Sequence, residues 1–136
     1  MSRVERAVQL KCNGANCAQS VACAFAEDLN IDEKVIYKIS EGFGGGLGCA
    51  EGHCGALSGA VIVAGLTNSD GDFENPGKTK ASTMKISREI TKDFEDKVGA
   101  IKCYDIKHGN EGKELCSCMD CVRYATEIAE KALELK

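Results

Sequence analysis

The chain contains no tryptophan, one proline and 5% aromatic residues. Proteins that track single-stranded nucleic acid stack bases on aromatic side chains, and this chain has few to offer. It has no basic block either: 17 Lys and Arg face 21 Asp and Glu, for a net charge of −4. That balance argues against nucleic acid and against an anionic membrane surface as partners. The longest apolar run, Ala60 to Leu66, falls short of the roughly 18–20 residues a membrane-spanning helix requires. Residues 1–11 carry Arg3, Glu5, Arg6 and Lys11 and so lack the apolar centre of a signal peptide. The expectation is a cytoplasmic protein without a nucleic-acid or membrane partner.

What the chain does have is cysteine. Nine occur in 136 residues, at positions 12, 17, 23, 49, 54, 103, 116, 118 and 121. An odd number cannot all pair internally. In a reducing compartment such a density points to metal, cluster or redox chemistry rather than structural crosslinks. A chain of this length buries enough surface to fold without a metal or a disulfide, and it has room for one domain, residues 1–136.

Hydrophobic spacing predicts an all-α fold, a compact bundle of five to six helices. A short helix covers residues 3–11. Asn16 caps a second, Cys17 to Leu29, with Ala18, Val21, Ala22, Phe25 and Leu29 on one face. Asp32 caps a third, reaching Glu41. A glycine-rich loop, Gly42 to Gly48, follows. Cys54 to Leu66 carries no charge on any side, the pattern of a central helix buried all round. Gly55 and Gly59, four apart, allow another backbone to approach it. Ile86, Ile90, Phe94 and Val98 mark an amphipathic helix over Ser82 to Val98. The last helix starts near Cys116, with Cys118, Val122, Ala125, Ala129 and Ala132 as its inward stripe and Cys121 beside it.

The glycine loop fails as a nucleotide loop. Neither glycine register completes G-x-G-x-x-G, no strand precedes it, and Gly-Lys-Ser/Thr is missing. Its glycines instead let backbone N–H groups approach a sulfur or an anion, which stabilises thiolates and tunes clusters. Gly45, Gly46, Gly48 and Gly55 are the candidates. Asp70 to Ala81 fails as a calcium loop, with Asn75 and Ala81 where glycine and glutamate belong.

Cys17 and Cys54 each stand where a turn becomes a helix. The unpaired amides of a first helical turn favour the thiolate, the form that attacks disulfides and binds metal. These two are the catalytic candidates. Cys103 and the trio Cys116, Cys118 and Cys121 can add further ligands. Cys12 and Cys49 lie five positions before stronger cysteines, and Cys23 sits toward the polar side of its helix. Val122 in place of histidine after Cys121 excludes a c-type haem site. His53, beside Cys54, is a candidate ligand or a promoter of the Cys54 thiolate. His108 reads as a surface residue.

Cys54-Gly55-Ala56-Leu57-Ser58-Gly59 matches a CGAxxG motif, and it follows Gly42-Phe43-Gly44-Gly45-Gly46. Asn16-Cys17-Ala18-Gln19 supplies a matching upstream helix start. With Cys103 and a cysteine leading the last helix, the chain resembles the C-GCAxxG-C-C family of redox-active proteins from about Cys17 to Ala132. The competing match at Gly48-Cys49-Ala50 has His53 where glycine is needed. The resemblance implies a redox role and maps the family's four cysteines to Cys17, Cys54, Cys103 and Cys118, with Cys116 and Cys121 competing for the fourth place.

Three chemistries suit these residues. The first is electron transfer through a [2Fe–2S] or [4Fe–4S] cluster held by Cys17, Cys54, Cys103, Cys118 and Cys121. The second is an oxidoreductase in which Cys54 attacks and Cys17 or a C-terminal cysteine resolves, with no cofactor. The third is a zinc-binding module. The partner is a redox protein or a small thiol or disulfide.

Overall fold

A computed structural model describes residues 1–135. Among them are eight α-helices: α1 (Arg3–Cys12), α2 (Cys17–Cys23), α3 (Ala26–Leu29), α4 (Glu33–Glu41), α5 (Gly55–Asn68), α6 (Lys80–Val98), α7 (Cys103–His108) and α8 (Cys118–Ala132). No β-strand is formed among the described residues, only two isolated bridges. The all-α expectation holds, with more helices than the five or six expected.

Capping explains where the helices start. Ser2 and Glu5 form a capping box on α1, and Asn16 and Gln19 form another on α2. In the second, the Gln19 amide donates to Asn16 Oδ1 at 2.9 Å while the Asn16 amide donates to Gln19 Oε1 at 3.0 Å. Asp32 caps α4 and Ser117 caps α8. The single helix expected over Cys17 to Leu29 is two. At Phe25 the backbone leaves helical geometry and its amide reaches back to Ala22 rather than Val21. The Phe25 ring is fully buried in the core.

Helix α5 is the centre of the molecule and packs against α2, α6 and α8. Its residues Ala56, Leu57, Ala60, Val63 and Ala64 are buried, in accord with its uncharged sequence. Gly59 lets α2 come close: a Cβ there would stand 2.7 Å from the Ala18 carbonyl oxygen. Helix α6 contributes Ile90, Phe94 and Val98 to the core. Helix α4 packs on α2 through Ile36 and Ser40, and leaves Val35 and Ile39 in solvent. Arg3 pins α1 to two other elements, with Nε 2.7 Å from Asp28 and Nη1 2.6 Å from Glu130. No helix is long and apolar enough to cross a membrane, among the described residues.

Candidate functional site: a cluster of thiols at helix N-termini

Four of the cysteines begin helices. Cys17, Cys103 and Cys118 are the first residues of α2, α7 and α8, and Cys54 is the N-cap of α5. The sequence showed this position for Cys17 and Cys54. For Cys103 and Cys118 it was hidden, because the starts of α7 and α8 depend on Lys102 and on the Ser117 cap.

Two features bring these helix starts together. The first is the approach of α5 to α2. A Cβ on Gly55 would lie 3.3 Å from the Ala18 amide nitrogen and 3.1 Å from the Phe43 carbonyl oxygen. Gly55 follows Cys54 and Ala18 follows Cys17, so the two cysteines are neighbours. The second is a short antiparallel bridge between His53 and Lys102. The Cys54 amide donates to the Ile101 carbonyl at 2.7 Å, and the Cys103 amide donates to the Gly52 carbonyl at 3.0 Å. Cys103 is thereby fixed beside Cys54.

The glycine loop closes around this bridge. Gly46 to Ala50 makes one widened π-type turn, with Leu47 and Gly48 in left-handed conformations. Gly46 is buried, and a Cβ there would come within 2.5 Å of Cys103 Cβ. Gly44 rests on the Asn16 side chain. Gly45 and Gly48 have positive φ and open space where a Cβ would stand. The loop thus seats Cys103 and the capped start of α2. The amides that stabilise the Cys54 thiolate are those of Ala56 and Leu57, in the first turn of α5.

The sulfurs meet in pairs. Side-chain electrostatics couple the thiol of Cys17 to that of Cys118 and the thiol of Cys54 to that of Cys121. Within each pair the proton is held unequally. The coupling to Cys17 lowers Cys118 to about 6, and the charges of Lys11 and Lys107 assist. Cys17 is pushed up by that same coupling, by burial and by the Cys118 charge. The coupling to Cys121 lowers Cys54 to about 7, with help from the Ala56 and Leu57 amides. Cys121 is pushed up by its coupling to Cys54 and by burial. Burial raises Cys103 and Cys116 as well, and Cys116 is also coupled to Cys121.

Exposure separates the pairs. Cys118 is exposed and Cys17 half-buried, whereas Cys54 and Cys121 are only 7% and 1% exposed. Cys118 was expected to point inward along the stripe of its helix. The buried face of α8 instead centres on Cys121, Val122, Ala125, Thr126 and Ala129, and Cys118 lies at the open end of the helix. Cys23 was expected toward the polar side of its helix, but it is buried at 2% exposure and donates to the Glu33 carbonyl. Cys12 is exposed at the end of α1, and Cys49 is exposed with its thiol directed at the Gly46 carbonyl. His53 is exposed and its backbone pairs with Lys102. Among the described residues, no three His, Cys, Asp or Glu side chains surround one point as a single metal ion requires.

Comparison with known proteins adds the following. Residues 15–132 match the C_GCAxxG_C_C family, described as "Putative redox-active protein". A protein of Archaeoglobus fulgidus, described as "Uncharacterized protein", is 30% identical over 141 residues, covering 95% of this chain and 91% of its own length. No solved structure matches.

Proposed function

Since the chain belongs to the C_GCAxxG_C_C family, and its role is cysteine-based redox chemistry, we propose that it works as a thiol–disulfide oxidoreductase. Cys118 is the attacking thiolate and Cys17 the resolving thiol. One observation carries this reading: Cys118 and Cys17, an exposed and a half-buried thiol, each open a helix, and the electrostatic coupling between them favours the thiolate at the exposed one. Thiolate is the nucleophile in such exchange, and a pKa near ambient pH balances abundance against reactivity.

The Cys118 thiolate attacks one sulfur of a partner disulfide. The partner's S–S bond breaks, and the departing thiolate takes a proton from solvent. Lys11 and Lys107 favour negative charge at Cys118. Cys17 then gives up its proton and attacks the Cys118 sulfur, and the second partner thiolate leaves. The partner disulfide has gained two electrons and become two thiols, while Cys17 and Cys118 have become a disulfide. A reducing dithiol reverses the sequence. The partner is a redox protein or a small disulfide.

Anaerobic incubation of the reduced protein with glutathione disulfide tests this. The expected products are free glutathione and a Cys17–Cys118 disulfide, located by peptide mass mapping. Cys118→Ser should stop the reaction, and Cys17→Ser should accumulate glutathione on Cys118. Glutathione attached mainly elsewhere would overturn the assignment.

A second reading rests on the same pairing. A [2Fe–2S] cluster is held by four thiolates, two on each iron. Cys17 with Cys118 and Cys54 with Cys121 offer two adjacent pairs, so the donor set suits it better than it suits one zinc ion. When bound, the cluster would supply one-electron transfer. Iron and acid-labile sulfide in equal amounts after anaerobic purification, with colour bleached by reduction, would favour this reading. A colourless protein that consumes glutathione disulfide would favour the first.

A further inference from the structure

The proposed chemistry uses the surface pair and leaves a second, buried pair of thiols, Cys54 and Cys121, without a task. We propose that Cys54 and Cys121 form an internal redox couple that exchanges electrons only with the Cys17–Cys118 couple, so that one chain stores four electrons. The inference rests on the thiol–disulfide reading above.

Three observations carry it. Cys54 and Cys121 share the buried core where α5 meets α8, at 7% and 1% exposure, so a partner disulfide cannot reach them directly. The surface pair is adjacent, because the backbones of Gly55 and Ala18, each one residue beyond a cysteine, are in contact. Helix α8 carries a member of each pair, Cys118 and Cys121, one turn apart on the same side of the helix.

The exchange balances as follows. After the surface disulfide forms, the Cys54 thiolate attacks the Cys17 sulfur. The Cys17–Cys118 bond breaks and Cys118 leaves as thiolate; it is the better leaving group because its proton affinity is lower. Cys121 releases its proton and attacks the Cys54 sulfur. Cys17 leaves and takes up a proton. A disulfide has moved inward, two electrons have moved outward, and the surface dithiol can reduce a second partner disulfide.

The test is an anaerobic titration of the fully reduced protein with glutathione disulfide, read by released glutathione and by disulfide mapping. The wild-type chain should consume two equivalents and end with both Cys17–Cys118 and Cys54–Cys121 bonds. Cys121→Ser should form no Cys54–Cys121 bond and should accumulate a Cys54–Cys17 disulfide, with the freed Cys118 carrying glutathione. In Cys118→Ser, whose substitution is at an exposed position, the buried pair should stay reduced. Formation of the Cys54–Cys121 bond in Cys118→Ser at the wild-type rate would overturn the internal transfer, as would a wild-type endpoint of one equivalent. That second result leaves the surface chemistry standing. No reaction at all in the wild type would defeat both.

Discussion

Gly59 of α5 and Ala18 of α2 meet backbone to backbone, with space for no more than a hydrogen between them. Because a Cβ at Gly59 would stand 2.7 Å from the Ala18 carbonyl oxygen, Gly59→Ala must push the two helices apart. Overpacking of this kind costs about 1–3 kcal/mol. Denaturant unfolding should show that loss. Since Cys17 and Cys54 lead these same helices, the second equivalent of glutathione disulfide should be consumed more slowly than the first. Unchanged stability would mean that the contact is not tight.

Reactivity at Cys118 should follow its lowered proton affinity. Only the thiolate reacts, so alkylation by iodoacetamide should be slow at pH 5, rise through about 6 and level off above that. The direction is set by proton loss: raising pH creates the nucleophile. Lys11→Gln removes a positive charge that favours the thiolate, so the midpoint should move upward. Mass mapping of the labelled cysteine against pH checks both. A midpoint at an ordinary thiol value near 9 would contradict the coupling to Cys17.

Arg3 is the anchor of α1. It bonds to Asp28 through two nitrogens and to Glu130 through a third, and it lies over the Phe25 ring at 5.5 Å. With its side chain 14% exposed, these bonds are partly shielded from water. Hydrogen bonds to charged groups contribute about 1.5–3 kcal/mol, so Arg3→Ala should lower the unfolding free energy by that order. High salt should weaken the wild type more than the variant.

Cys23→Ser should leave both equivalents of glutathione disulfide consumption in place. Cys23 is buried away from the other sulfurs, with its thiol directed at the Glu33 carbonyl 3.8 Å away. A serine hydroxyl, on a shorter bond, falls short of that carbonyl, so the substitution costs stability rather than redox chemistry. If the variant loses the redox reaction while remaining folded, the placement of the site at the helix starts is wrong.

Much of the fold could be read from local signals. Asn16 and Asp32 marked helix starts, and the uncharged run after Cys54 marked the central helix. The spacing of Ile90, Phe94 and Val98 marked the inner face of α6. The break at Phe25 could not be read, because neither proline nor glycine marks it and the apolar spacing runs through it unbroken. For the site, Cys17 and Cys54 announced themselves by following turns. Cys121 entered only as a ligand beside the stripe, and nothing in the spacing said it would couple to Cys54. Which cysteine of α8 faces solvent depends on where the helix begins, and Ser117 decides that by accepting from the Asp120 amide at 3.0 Å. Pairing between sulfurs distant in sequence follows from helix packing, which a one-dimensional pattern does not encode.

The two backbone hydrogen bonds that join residues 52–54 to residues 101–103 tie the neck of a long hairpin made by α5 and α6. The polar stretch around Pro76, at the far end of that hairpin, can breathe without disturbing the sulfurs, because the knot holds at the base. The same knot makes the amides of Cys54 and Cys103 one cooperative unit, so deuterium should enter both together and only when the hairpin comes undone.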